Sequence, residues 1–393
     1  MKFKISTVYT AILYLMLACQ MLILTGLPFR IHIIVSIGTW GIMLCQAVSL
    51  LMLFADGKKK LLENNRLMIL VILFTLAVCM ILLSGKIDMS SIVKLLTFMQ
   101  LPTFLFIATR NNKRRLKDVV YGVNLIYPIL FFLLSRMPFA HRIVGEYGDS
   151  VMDDITLGYN NPNEAAIYMM FCFFILLSAM YYYKSSLLRF VAFAEACVLG
   201  YLMYMTNCRA AVIICFAVVA YMMFTTEIRI QPLLIGTIFF IPIIYTLSII
   251  CFPSLAYIEL LGETIENGRR NIIIAFIHEL NVFEFMFGNF AKYQLGNMHN
   301  AMISVLASMG IIVFGVHFTS IYFGYKRILQ GVWGKRDFMP LALGMLGIII
   351  HSTAEAAPLV AGSVYAASGF LIAYLAVPDK EINGSEEIEN IAP

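Results

Sequence analysis

The chain has 393 residues, of which 61% are hydrophobic and 13% charged, with 28 Lys and Arg against 23 Asp and Glu. Ordinary globular chains carry about 25% charged residues, so this composition and a mean hydropathy of +0.85 exclude a water-soluble protein with a conventional polar surface. The net charge of +5 does not point to nucleic acid, because the basic residues form short clusters between apolar runs, where they orient membrane helices.

Uninterrupted apolar runs of about 20 residues match the length a helix needs to cross roughly 30 Å of hydrocarbon. The ten-residue alternation of a barrel is missing, so helices are expected throughout. The expected fold is all-α: a polytopic integral membrane protein with about twelve transmembrane helices in one multi-span domain over 1–393. A long, partly helical extracytoplasmic loop or lid is expected at 252–300, before the tenth helix.

The first run, 5–26, follows Met1 to Lys4 and lacks an A-x-A cleavage site, which makes it a membrane helix and not a signal peptide. Runs at 31–54, 67–84, 89–109 and 119–135 follow. Lys94, near the outer end of the fourth, either reaches towards an outer cavity or snorkels to the interface. The segment 136–163 is acidic and reads as a solvated loop; Asn163 is expected to cap the next helix, and Glu164 suits the positive end of that helix. After runs at 164–183 and 190–206 comes the short turn Thr206-Asn207-Cys208-Arg209, which holds a guanidinium against the outer face. Glu195 is expected near the inner end of its run, at a different depth from Lys94, so the two do not form a buried pair.

Runs at 210–224 and 232–251 lead into the long loop. There Arg269 and Arg270 follow Gly268 at the expected start of a helix, where free N–H groups, the helix dipole and paired guanidiniums all favour an anion; a solvated charge pair is the alternative. His299 and Asn300 close the loop before the run at 301–324. The run at 338–355 carries His351 and ends on Glu355, which either caps the helix or pairs with a neighbour. The last run is 361–377. With both termini cytoplasmic, 19 of the 28 basic residues fall on the inner side. The eight cysteines show no metal-ligand spacing, and no P-loop or Asp-x-Asp pair appears, so neither a metal nor another cofactor is expected.

Under this orientation Arg209, Arg269, Arg270, His299 and Glu355 all fall on the outer face. Several cations, a potential base and a lid point to an anionic, membrane-embedded substrate such as a lipid-linked phosphate or diphosphate. At these residues the chain resembles the O-antigen polymerase and O-antigen ligase superfamily of membrane glycosyltransferases. The resemblance is carried by Gly158-Tyr159-Asn160-Asn161-Pro162-Asn163-Glu164, Thr206-Asn207-Cys208-Arg209, Asn267-Gly268-Arg269, Met298-His299-Asn300 and Gly310. It spans roughly the C-terminal 60% of the chain. It implies a cytoplasmic-membrane enzyme that takes undecaprenyl-diphosphate-linked glycans as donor and acceptor, with a flippase and a chain-length regulator as partners. It further implies metal-independent, inverting transfer, in which Arg209 and Arg269 hold the donor diphosphate and His299 lies near the acceptor hydroxyl. Cys208 departs from the family pattern, standing where a small hydroxyl residue is common. Ile272 to Ile274 replace an aromatic residue, which leaves Arg269 and Arg270 as alternative equivalents. Polymerase and ligase differ only in acceptor, and the sequence favours the polymerase; a lipid-linked-oligosaccharide flippase would show two similar halves, which are not seen.

Overall fold

The computed structural model describes residues 5–57, 65–83, 85, 88–108, 114–144, 152–159, 162–225, 232–256, 258–260, 263–264, 269–293, 300–331 and 338–352. In chain order these form α1 (Ile5–Gly26), α2 (His32–Gly57), α3 (Asn65–Leu83), α4 (Met89–Ala108), α5 (Arg114–Asn124), α6 (Tyr127–Ser135), β1 (His141–Val144), β2 (Met152–Ile155) and α7 (Pro162–Tyr182). There follow α8 (Ser186–Met205), α9 (Arg209–Phe224), α10 (Pro232–Cys251), α11 (Pro253–Ala256), β3 (Glu259–Leu260), β4 (Glu263–Thr264), α12 (Arg269–Glu279), α13 (Val282–Phe287), α14 (Phe290–Tyr293), α15 (Ala301–Gly331) and α16 (Met339–His351). Eleven of the twelve expected apolar runs coincide with helix; the twelfth, 361–377, lies outside the described residues.

Among the described residues five helical stretches are long and apolar enough to cross a membrane: His32–Met52, Lys117–Ser135, Pro162–Tyr182, Ser186–Met205 and Ala301–Lys326. Shorter apolar helices of 10–17 residues accompany them. The protein is therefore all-α in class, with membrane-length helices around one apolar core that runs from Ile12 on α1 to Ile349 on α16. α7 is the central helix: every residue from Ala165 to Ala179 is buried, the pattern of a helix surrounded by others. Large apolar side chains such as Phe216, Met223 and Phe224 remain exposed on the outside of the bundle, as lipid-facing positions would be.

The expected single helix at 119–135 is two. Proline cannot donate, so Pro128 leaves the carbonyl of Asn124 without its usual partner four residues on, and the chain breaks between α5 and α6. The Cys172 thiol on α7 donates to that carbonyl at 3.4 Å, replacing the missing bond. Cys172→Ala is therefore expected to lower stability by about 1–3 kcal/mol, while Cys172→Ser, which keeps a donor, costs less; thermal unfolding of the purified variants in detergent measures the difference.

Glu195 also moves relative to expectation. α8 begins at Ser186, a full turn before the apolar run, so Glu195 stands near the middle of its helix and not near one end.

The described parts of the segment 136–163 include more than a solvated loop. β1 and β2 form an antiparallel ribbon pairing His141 with Ile155 and Val144 with Met152, and the backbone of Thr156 donates to Ala140 at 2.7 Å. The Tyr159 hydroxyl reaches across to donate to the Leu24 carbonyl at 2.9 Å, and Phe139 packs edge-on against Phe29. Ala140, Ile155, Leu157 and Tyr159 are buried as a result. Burial, with Glu164 close by, pushes the Tyr159 phenol well above its ordinary value. A second small ribbon, β3 with β4, lies in the long segment before α12. These ribbons depart from the all-helical expectation only in connections, where strand alternation is too short to register.

The longest helix is bent. Gly310 in α15 has φ 76° and ψ 173°, a conformation open essentially to glycine alone, and it turns the stretch after Ala301 away from the inner part of the helix.

Candidate functional site

Thr206 ends α8, and its hydroxyl donates back to the Met203 carbonyl at 2.7 Å. Asn207 then takes a left-handed backbone, φ 57°, which Asn tolerates better than most side chains. The Arg209 amide donates to the Asn207 carbonyl at 3.0 Å, and Arg209 becomes the first residue of α9. Its guanidinium is half-buried, with Nε shielded from solvent.

An arginine at a helix N-terminus opposes the helix dipole. α9 has no acidic residue in its first turn, and neither has α12, which opens on Arg269 and Arg270. Both helix starts thus set arginine against the positive end of a helix dipole, an arrangement that a bound anion would complement.

Contacts in series join these two helix starts. Arg270 donates through Nε to the Ile249 carbonyl of α10 at 3.2 Å. One turn earlier on α10, the buried Thr246 hydroxyl accepts from Asn300 Nδ2 at 3.2 Å. Asn300 Oδ1 accepts the amides of Met302 and Ile303 at 3.0 and 3.1 Å, which makes Asn300 the N-cap of α15. The next amide, Ala301, donates to the Ser352 carbonyl at 3.0 Å, just past α16. His351, fully buried at the end of α16, sits 3.7 Å from Cys208 Sγ through Nε2. Cys208 precedes Arg209, which closes the series. Five elements that are far apart in sequence therefore meet at one end of the bundle: the start of α9, the end of α10, the start of α12, the start of α15 and the end of α16.

Several expected site residues are placed by this arrangement. Arg209, Arg270 and Asn300 belong to it, and Arg269 opens α12 beside Arg270. His299 and Glu355 lie outside the described residues, as do Asn160, Asn161, Asn267 and Gly268. Asn163 is corrected from cap to first-turn residue: α7 already begins at Pro162, since proline's fixed φ and missing donor suit the first helical position. Glu164 in that turn accepts from the Tyr168 hydroxyl at 3.2 Å. Lys94 is half-buried on α4, after the Asp88 cap that accepts the Ser91 amide at 2.7 Å. Neither Asn163 nor Lys94 is part of the series from Arg270 to Arg209.

Thr246, Ser352 and the contact of His351 with Cys208 were not legible beforehand. The one available signal was polarity: Thr246 and His351 interrupt otherwise apolar runs, where a polar side chain needs a reason. The His351 ring meets Cys208, a contact that local sequence does not announce; Glu355, the alternative cap or pairing partner, lies outside the described residues. Among the described residues no group of three or more His, Cys, Asp or Glu could hold a metal ion.

Asn300→Ala removes both the α15 cap and the bond to Thr246. It is expected to cost about 1–3 kcal/mol, with Asn300→Asp recovering the cap; urea or thermal unfolding in detergent checks this.

No family model, curated protein or solved structure matches this chain.

Proposed function

We propose that the protein is a membrane glycosyltransferase that polymerises undecaprenyl-diphosphate-linked repeat units into a surface polysaccharide at the outer face of the cytoplasmic membrane, with twelve spans and both termini cytoplasmic. One observation carries this reading: the guanidinium-bearing starts of α9 and α12 are tied to each other through α10, Asn300 and His351 at one end of a bundle of apolar helices. The depth of that end adds support. α9 has 16 residues and α16 has 13. At 1.5 Å per residue these rise roughly 24 and 20 Å, less than the roughly 30 Å of hydrocarbon. If their far ends reach the cytoplasmic interface, Arg209 and His351 stand recessed in the outer leaflet, where the diphosphate of a membrane-anchored lipid would lie.

The acceptor hydroxyl oxygen attacks the anomeric carbon of the donor, the bond from that carbon to the diphosphate oxygen breaks, and the hydroxyl proton passes to a base. Arg209 with Arg269 or Arg270 stabilises the negative charge that grows on the departing diphosphate. His299, next to the capping Asn300, is the proposed base. The decisive experiment gives the purified protein a lipid-diphosphate-linked repeat unit and resolves glycan length on a gel. A ladder that depends on Arg209 supports the polymerase. Single transfer to an added acceptor indicates a ligase, and no product from competent substrate moves the protein to lipid-linked glycan transport.

A further inference from the structure

The long segment before α15, expected as an extracytoplasmic loop or lid, has a geometry that argues for something more specific. α13 reads Val-Phe-Glu-Phe-Met-Phe, and none of its residues is buried. Val282 is 81% exposed and Phe283 63%, with Phe285 and Met286 exposed beside them. A helix this apolar and this bare needs an occupant for its outer face.

Where α13 is fastened identifies that occupant. Gly288, at its C-terminus, packs backbone to backbone on α15: a Cβ there would stand 2.5 Å from the amide nitrogens of Met309 and Gly310. Gly310 lies inside the apolar stretch Ala301–Lys326, not at its mouth. Depth follows from a second contact. His317 stacks on Phe98, halfway along α4, with ring centroids 4.1 Å apart, which sets the level of His317 near the middle of the bundle. Gly310 is two turns from there towards the arginine end, roughly 10 Å by helical rise, and so falls within the roughly 15 Å hydrocarbon half-thickness of one leaflet.

The hydrogen bonding is also that of a segment withdrawn from water. Asn281 Oδ1 accepts the Glu284 amide at 2.8 Å, the Phe285 amide donates to Asn281 O at 2.8 Å, and the Gly288 amide to Glu284 O at 2.7 Å. The Asn289 amide donates at 2.8 Å to the Ala307 carbonyl. The Glu284 carboxylate accepts from Asn289 Nδ2 at 2.8 Å. In hydrocarbon a backbone donor has to find a protein acceptor, and the amides of Glu284, Phe285, Gly288 and Asn289 each have one. The charges at its edge, Glu279 and Lys292, pair with each other and remain half-exposed, as side chains at an interface do.

We propose that α12 to α14 form a re-entrant element whose α13 inserts Val282, Phe283, Phe285 and Met286 into the acyl chains of the leaflet on the arginine side. The partner of this face is bilayer hydrocarbon. The inference does not depend on glycosyl transfer, since it concerns a different surface and needs no substrate.

The test uses the full chain in lipid vesicles. Trp40 and Trp333, its two tryptophans, are replaced by Phe, and a single reporter is introduced as Phe283→Trp or, in a second protein, Val282→Trp. Lipids brominated on the acyl chain should remove most of the emission from either reporter, while aqueous iodide leaves it nearly unchanged. Quenching by iodide and not by brominated lipid would overturn the proposal in favour of a water-facing lid. Quenching by neither would also overturn it, in favour of a protein cover from a second copy or from residues 353–393.

Discussion

Arg209→Ala is expected to lower glycan transfer by about a hundredfold to a thousandfold, the loss typical when one preorganised contact to developing charge is removed. Arg209→Lys should recover little of this, although it keeps the charge. An ammonium is a point donor, whereas the guanidinium offers a planar fork that binds two phosphate oxygens at once. The placement of Arg209 sharpens the expectation. It is the first residue of α9, tied by its own amide to the left-handed Asn207 and flanked by Cys208, which His351 touches. The guanidinium is therefore held by a turn with little freedom to bring a shorter-reaching group to the same point. Initial rates with the lipid-linked repeat unit, at matched amounts of folded protein, decide the matter. Wild-type rates in both variants would remove Arg209 from the donor site and, with it, the main support for the transferase reading.

Gly288→Ala is expected to lower stability by at least about 3 kcal/mol. Two costs add. The residue has φ 76° and ψ 176°, a region essentially reserved for glycine, and placing a side chain there costs about 1–3 kcal/mol. The new methyl would also meet backbone of Ser308, Met309 and Gly310 at 2.5 Å, and backbone cannot rotate aside as a side chain can. Gly310→Ala meets the Met286 carbonyl at 2.4 Å from the other side and should behave alike. Gly200→Ala is the control: it lies within α8 with nothing within 4 Å of the new methyl, and alanine is the better helix former by about 1 kcal/mol. Thermal unfolding in detergent should show a large drop for the first two and none for the third. Equal behaviour of all three would mean that the packing of α13 on the α15 bend contributes nothing to stability.

The two predictions bear on different links. The first concerns charge at the end of the bundle and leaves folding alone. The second concerns how a glycine pair joins the long connecting segment to α15, and so the position of Arg269 and Arg270 at the head of that segment. A Gly288 variant that folds in part is expected to lose transfer as well, because α12 and α13 are consecutive and the arginines travel with them.

Amino-acid order alone determined the helical class, the eleven apolar runs that fold as helix and the turn that carries Arg209. Those features are local: the free energy of moving a run of residues into hydrocarbon sums along the run, and a run near 20 residues reports its own length. The expected ends at 5–26 and 232–251 coincide with α1 and α10 for that reason. The break before α6 was legible in principle from Pro128, but the thiol that compensates it comes from Cys172, 48 residues away. Only the tertiary structure decided which helix ends meet. The contact of Cys208 with His351 spans 143 residues and that of Asn300 with Thr246 spans 54, and the local pattern marks Thr246 and His351 as polar interruptions without naming their partners. The Gly310 bend was equally silent, because glycine is common inside membrane helices that stay straight. The physical reason is the solvent. In a bilayer the lipid is as apolar as the helix it surrounds, so hydrophobicity chooses which segments enter but not which neighbours they take. That choice rests on close packing and single hydrogen bonds, such as the Gly288 and Gly310 backbones in contact and the Asn300 amide against Thr246, and these exist only once the chain has folded.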